Sequence, residues 1–285
     1  MTVSARVASG VQVAAVDAWR AVLPSGALQS HPDELAVEEP LEILVAGDPL
    51  AVTMRTPGYD HELVAGFLLA EGLIRSRADL GGMHHCARPG TEGAHNTIDV
   101  LPAPGTVLEI DATRRGTLTT SACGMCGRKL IDDLLTRLRP APPSLPFSQA
   151  FIGGLAAELA KQQPSFQRTG GLHAAGVATS DAGLSVVRED VGRHNAVDKA
   201  IGRLLLDDRL PMPSAVLVVS GRVSFEIVQK ALAAGLCAVV GVSAPSSLAV
   251  STATRFGLLL CGFARGAAFN VYAGAERLAG SPKRS

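Results

Sequence analysis

Net charge is the first thing this sequence lacks. Its 26 basic and 26 acidic side chains cancel, which argues against a protein that holds nucleic acid through bulk charge. An anionic ligand must therefore meet a local cluster of cations. The chain also lacks an unbroken apolar run of about 18 residues, so no transmembrane helix is predicted. Its N-terminus has neither the basic start nor the continuous apolar stretch of a secretory signal. Cysteine is sparse and odd in number: Cys86, Cys123, Cys126, Cys237 and Cys261 follow no repeating frame. That fits free thiols in a reducing cytoplasm better than a disulfide scaffold. There is no internal repeat. What the chain does have is apolar content, 47% of 285 residues, enough for one large domain or two small ones.

The pattern along the chain predicts three parts. Residues 1–38 read as a weakly structured, flexible lead-in. Residues 39–140 read as a smaller N-terminal α+β domain. It holds a hairpin (Leu41–Val45 and Leu50–Met54 around Gly47-Asp48-Pro49), a helix over Asp60–Ile74, and strands over Thr97–Leu101 and Thr106–Asp111. Gly81–Asn96, with His84, His85, Cys86 and His95, reads as a long exposed loop. Pro140, Pro142, Pro143 and Pro146 mark a linker. Residues 141–285 read as an α/β domain. A helix over Ala150–Gln162 precedes a hairpin over Leu172–Arg188; then helices start at His194, Ser224 and Ser247, and strands at Ala215, Cys237 and Gly257. A hairpin followed by alternating helix and strand predicts helices packed on a mixed sheet.

One short motif carries thiol chemistry. Ser121-Ala122-Cys123-Gly124-Met125-Cys126-Gly127-Arg128-Lys129 precedes apolar residues at helical spacing, Leu130 to Leu138. Thiols just ahead of a helix N-terminus, beside Arg128 and Lys129, favour the thiolate. Such a thiolate serves as nucleophile, metal ligand or sulfur carrier. A zinc site needs two further ligands, and the chain has no second Cys-x-x-Cys and no His-x-x-x-His. A thioredoxin-like redox site needs a first strand ahead of the motif in a βαβ unit, which the neighbouring sequence does not supply. Sulfur carriage, with one cysteine holding a persulfide and the other assisting, is the third reading. Cys237 and Cys261 sit inside apolar strand patterns and read as core. Cys86 beside His84 and His85 does not offer tetrahedral spacing.

Polar residues collect where the predicted strands end: Glu189 to Lys199, Ser220 to Glu226, Ser243 to Ser247, and Gly262 to Gly266. Ligands of open α/β sheets bind beyond the carboxyl ends of the strands. Arg193, Lys199, Arg222 and Arg265, with helix-start hydroxyls, suit phosphates. For any one of these residues an ordinary structural role is the better reading, with Ser224 and Ser247 as N-caps. For four consecutive strand ends, ligand binding is.

Residues 121–127, Glu189-Asp190-Val191-Gly192-Arg193-His194-Asn195-Ala196-Val197-Asp198-Lys199, Ser220-Gly221-Arg222-Val223-Ser224-Phe225-Glu226 and Ser243-Ala244-Pro245-Ser246-Ser247-Leu248-Ala249 together resemble the formate dehydrogenase accessory sulfurtransferases, the FdhD family. The resemblance runs from about Glu38 to Tyr272 and includes Phe67-Leu68-Leu69-Ala70-Glu71-Gly72. It implies a sulfurtransferase that receives sulfur from a cysteine desulfurase. The sulfur passes to the molybdenum or tungsten bis-guanine-dinucleotide cofactor, the molybdopterin guanine dinucleotide form, before its insertion into formate dehydrogenase. It implies that Cys123 carries the persulfide and Cys126 supports transfer. It also implies that Phe263, Ala264, Arg265, Gly266, Ala267 and Ala268 bind the cofactor, with Arg193, His194, Asn195, Lys199, Ser220, Gly221 and Arg222 at the neighbouring strand ends. No permanent cofactor, metal, nucleic acid or membrane partner is expected; a homodimer in the cytoplasm is.

The resemblance further implies a cytidine-deaminase-like fold for the second domain. A zinc deaminase needs His-x-Glu followed by Pro-Cys-x-x-Cys. Here His173-Ala174-Ala175 lacks the glutamate, and the single Cys-x-x-Cys comes earlier in the chain. Three functions stay open. A sulfurtransferase and cofactor chaperone leads. A non-catalytic module that only binds and delivers the nucleotide cofactor is second, and a zinc hydrolase third.

Overall fold

The computed structural model describes residues 11–86, 95–110, 135–266 and 268–280. Three sheets organise them. β1 (Val13–Val22) and β2 (Ala27–Ala36) form an antiparallel hairpin. β3 (Glu39–Val45), β4 (Asp48–Arg55), β5 (Leu80–His85) and β6 (Thr97–Pro102) form a four-stranded sheet in the order β4-β3-β6-β5. The predicted turn between β3 and β4 falls at Ala46 (φ 49°) and Gly47 (φ 84°), the two positive values that a tight hairpin turn requires. α1 (Asp60–Ala70) follows.

The larger sheet is mixed. It is built from β7 (His173–Thr179), β8 (Gly183–Asp190), β9 (Ala215–Val219), β10 (Ala238–Gly241), β11 (Leu259–Arg265) and β12 (Ala268–Ala273), in the order β12-β11-β10-β9-β7-β8. β9, β10 and β11 run parallel; β7 and β12 run against them. The helices are α2 (Gln149–Lys161), α3 (Pro164–Thr169), α4 (Arg193–Leu206), α5 (Phe225–Ala233) and α6 (Ser247–Phe256).

Alternation sends β9 into two cores. Val216 and Val218 meet Ile152, Leu155 and Leu159 of α2 on one face. Leu217 and Val219 meet Val197, Ile201 and Val228 of α4 and α5 on the other. Helices therefore cover both faces, which is why the central strands read as continuous apolar runs. The second core continues through α1 into Leu41, Ile43, Ile98 and Val100 of the smaller sheet, so the two sheets share one hydrophobic interior. α1 and α4 cross at glycines. A Cβ on Gly66 would collide with the Asp198 carbonyl, and one on Gly202 with the Glu62 carbonyl.

Charged side chains lock this crossing. Lys199 of α4 is fully buried. Its Nζ reaches Asp190 Oδ2 and the Thr56 carbonyl, each at 2.7 Å. Asp190 also accepts from the Thr56 N–H at 3.1 Å. Asn195 Nδ2 donates to the Met54 carbonyl at 2.7 Å. Asp198 takes both hydrogen bonds of Lys230, 2.7 and 2.9 Å. Arg55 clamps Asp60 through two bonds of 3.0 Å.

Four expectations need correcting. Within the predicted flexible lead-in, residues 13–36 form the β1–β2 hairpin. Its base is tied down by Val37 N–H to the Gln12 carbonyl (2.9 Å), by Ser165 and by an Arg168–Glu34 ion pair. Residues 80–85 are strand β5 rather than loop. Their glycines and histidines are poor strand formers, but Met83 pairs with Val100 and His84 with Asp99 of β6, and such pairing overrides propensity. Thr106–Ile110 is not a strand; Gly105 (φ 80°) and the Thr106 N–H to Ala103 carbonyl bond turn the chain away. The proline-rich stretch is no free linker. Arg277 donates to the carbonyls of Ala141, Pro142 and Gly257, and Ala141 N–H bonds the Phe256 carbonyl. Of the predicted thiol-bearing helix, residues 135–137 are helical and the part up to residue 134 lies outside the described residues.

Candidate functional site at the strand ends

The ends of β8, β9, β10 and β11 lie on one side of the larger sheet. β7 runs antiparallel to β9, so its first residue, His173, joins them. The loops after β9 and β10 are zipped together: Val223 N–H bonds the Ala244 carbonyl (3.1 Å) and Ser246 N–H the Val223 carbonyl (2.9 Å). Ser220 is fixed by the Ala174 N–H, which donates to its Oγ at 2.9 Å. A Cβ on Gly221 would stand 3.4 Å from His173 Nδ1, so the glycine lets the imidazole lie against the loop. Arg222 follows, exposed.

Arg193 and His194 open α4. The N-cap position is Gly192, which supplies no side-chain cap. Arg193 Nε is buried without a hydrogen-bond partner among the described residues. His194 Nε2 lies 3.1 Å from Ser224 Oγ and 3.7 Å from Glu226 Oε2. Burial, the Lys230 and Arg193 charges and nearby His173 push the His194 imidazole down to about 4, against the pull of Glu226. Burial also lowers His173, helped by Arg193 and Arg222 and opposed by Asp190. Burial alone would raise the Glu226 carboxyl. The Ser224 hydroxyl, its own backbone N–H, His194 and Arg193 outweigh that and leave it low. Around neutral pH the cluster therefore holds two uncharged imidazoles, two guanidinium groups and one carboxylate.

The end of β11 adds an unusual backbone. Phe263 has φ 52° and is 44% exposed, next to a register break in the β11–β12 pairing. Its N–H bonds the Ser243 carbonyl at 3.2 Å, and Arg265 Nε bonds the Val242 carbonyl at 3.2 Å. Left-handed backbone at a bulky residue stores strain. Phe263 sits part-exposed beside the strand ends. Ala264 is buried, Gly266 (φ 60°) and Ala268 lead into β12, and Ala267 lies outside the described residues.

The candidate residues thus divide. Arg193, His194, Ser220, Gly221, Arg222, Phe263 and Arg265 gather at the strand ends. Asn195 and Lys199 belong to the same sequence motif but point inward to Met54, Asp190 and Thr56, away from any ligand there. His173 was not expected as a member of the cluster, and Ser224 was expected only as a helix-start hydroxyl within Ser220–Glu226. The antiparallel step from β7 to β9 was the signal for His173, and the hydroxyl of Ser224 engages His194 rather than capping α5. Cys123 and Cys126 lie outside the described residues. Cys237 and Cys261 are fully buried, and burial pushes the Cys261 thiol up to about 12.

A separate concavity of ≈ 390 Å³ lies at the start of α1, lined by Glu39, Arg55, Tyr59, Asp60, His61 and His85 among others. His61, His85 and His95 pack edge to face there, with ring centroids 5.2 and 5.9 Å apart. No group of described residues has an arrangement that could hold a metal ion. Carboxylates share the wall, so an anion is disfavoured as well. Among the described residues, no helix is long and apolar enough to cross a membrane.

A protein of Anaeromyxobacter dehalogenans named sulfur carrier protein FdhD is 49% identical over 91% of this chain and 96% of its own length. A protein of the same name from Streptomyces coelicolor is 48% identical over 89% and 92%. A crystal structure from Desulfotalea psychrophila, provisionally described as a formate dehydrogenase accessory protein, matches with a TM-score of 0.72 at 25% identity, over 93% of this chain and 99% of that one. The profile of the FdhD/NarQ family matches residues 36–279. The chain belongs to the FdhD/NarQ family.

Proposed function

We propose that this chain is a sulfur carrier in the maturation of formate dehydrogenase. In this reading the Cys123 thiolate attacks the outer sulfur of a cysteine desulfurase persulfide. The donor's S–S bond breaks, the donor leaves as a thiolate, and Cys123 keeps the sulfur as a persulfide. Cys126 supports onward transfer to the molybdenum or tungsten bis-guanine-dinucleotide cofactor, which is cargo rather than a resident group. The match to sulfur carrier relatives supports the sulfur-carrier part of the reading, and the strand-end cluster supports the part in which the nucleotide cofactor is bound. Arg193 keeps a buried donor without a partner among the described residues, Arg222 is exposed, and Phe263 is part-exposed beside the strand ends. This is the local cation set that a neutral protein needs to hold a polyphosphate nucleotide, with a surface on which a base can stack.

The test is mass spectrometry after incubation with a cysteine desulfurase and labelled cysteine. One added sulfur on the native chain, absent from Cys123→Ala and reduced less completely in Cys126→Ala, is the expected result. Normal loading of Cys123→Ala would remove the assignment. Binding of guanosine diphosphate without any sulfur loading would favour a module that only carries the cofactor.

A further inference from the structure

The strand-end cluster mixes fixed cations with imidazoles. Guanidinium groups are fixed cations over the accessible pH range, whereas imidazoles change charge within it. Arg193 acts on both imidazoles, and each imidazole has its own further neighbours. His194 of α4 faces Lys230 and Glu226 of α5, Ser224, and His173 of β7. His173 faces Asp190 of β8 and Arg222 of the loop after β9. One hydroxyl, Ser224, stands between the His194 ring and the Glu226 carboxylate.

Resting on the proposed pocket, we infer that anion binding there is proton-linked: a phosphate-like anion that settles against Arg193 and Arg222 draws a proton onto the His194–His173 pair. Without an anion, burial and the surrounding cations lower the proton affinity of both rings, His194 to about 4. An anion reverses the sign of the local field and accepts a hydrogen bond best from an imidazolium. The pair's affinity for protons therefore rises on binding. By reciprocity the anion binds more tightly as pH falls. For one proton taken up, the limiting slope is about tenfold in affinity per pH unit.

Inorganic sulfate is the probe, because its own charge does not change over the pH range used. Imidazole ¹⁵N spectra of the full chain report ring protonation, with His194→Asn and His173→Asn giving the assignments. Sulfate affinity is read from the same titrations at about pH 5.5 and about pH 8. The expected result is a neutral His194 ring at about pH 5.5 without sulfate, one more imidazolium in the pair when sulfate saturates the site, and affinity at least about threefold higher than at about pH 8. In the His173→Asn/His194→Asn double variant sulfate should still bind, with the pH dependence gone. Sulfate binding that depends on Arg222 but is flat in pH, with neutral rings, would overturn the inference and leave the pocket standing. Failure of both sulfate and guanosine diphosphate to bind at either pH would remove the pocket, and the inference with it.

Discussion

Two charged regions meet at α4, and they behave in opposite ways. The crossing of α1 and α4 holds Lys199, Asp190, Asp198, Lys230 and Asn195, all buried. There Lys199 has an acid and a carbonyl, Asp198 has both bonds of Lys230, and Asn195 has a carbonyl. The strand-end cluster one helical turn away holds Arg193, whose buried Nε has no partner among the described residues, and an exposed Arg222. Charge density does not distinguish the two regions; unmet hydrogen-bonding capacity does. A saturated buried network fixes one packing of two layers. An under-partnered cluster is one that a ligand can complete.

The largest expected effect breaks the saturated side. Lys199→Met leaves Asp190 buried beside the Thr56 N–H with no cation. Removing one member of a buried pair costs about 3–5 kcal/mol, so denaturant unfolding should show a loss of that size. A change under about 1 kcal/mol would mean that Asp190 finds water or a new partner, and that the crossing is less closed than its geometry shows.

The same substitution logic on the other side should move binding rather than stability. Arg222→Ala removes an exposed guanidinium, so the unfolding midpoint should stay near that of the native chain. Affinity for guanosine diphosphate should fall about tenfold to a hundredfold, the range of a lost charge-assisted bond. The loss should be largest at low salt. Arg222→Lys should restore only part, since an ammonium cannot reproduce the guanidinium fork. Calorimetric titration is the measurement. Unchanged affinity in both Arg222→Ala and Arg193→Ala would place the pocket elsewhere.

A smaller effect appears in the pH dependence of stability, where the two regions oppose each other. His194 is depressed to about 4 in the folded chain, below the usual histidine value of about 6.5. Between those values the unfolded chain binds more protons, so His194 makes the fold less stable as pH falls. Asp198, in contrast, is raised to about 6 by burial, against the pull of Lys230. Between about 4 and about 6 the folded chain binds more protons there, so Asp198 makes the fold more stable as pH falls. His194→Asn removes the first contribution only. Its stability relative to the native chain should therefore improve as pH drops from about 7 to about 4.5, read by urea unfolding across that range. A difference that is constant with pH would show that His194 is not held neutral.

Much of the scaffold was legible because its signals are local. β3, β4 and the strands from β7 to β10 follow apolar runs and turn residues in the chain, and they fall where those signals place them. α1 stops at Ala70, short of Ile74, while β11 runs on through Gly262 to Arg265, read as the stretch after the last strand, and pairs with an unpredicted β12. β5 and the β1–β2 hairpin escaped, since glycines, histidines and solvated side chains carry no strong pattern, and partners elsewhere in the chain hold them in place. The site was legible as a region but not residue by residue. Glu189 to Lys199 reads as one polar motif. Helical geometry then turns Asn195, Asp198 and Lys199 inward and leaves Arg193 and His194 at the helix start. That division depends on what faces α4, namely α1 and the Met54–Thr56 backbone, about 140 residues earlier in the chain. No local pattern could supply it.

The smallest effect separates two serines that look alike in sequence. Ser246 and Ser224 each stand at the N-cap of a helix with extended backbone. Ser246 caps: its Oγ accepts the Ala249 N–H at 3.2 Å. Ser224 does not; its hydroxyl lies between His194 and Glu226. Ser246→Ala should therefore cost about 1 kcal/mol, an ordinary cap. Ser224→Ala should cost about half of that or less, because the N-terminus of α5 loses no cap. Its signature lies in titration instead. Without the hydroxyl, Glu226 loses the hydrogen bond that holds its carboxyl low, so its pKa should climb, as carboxyl ¹³C shifts would show. If Ser224→Ala costs as much stability as Ser246→Ala and leaves Glu226 unmoved, then Ser224 belongs to the scaffold, and the boundary between the two regions lies nearer the loop after β9.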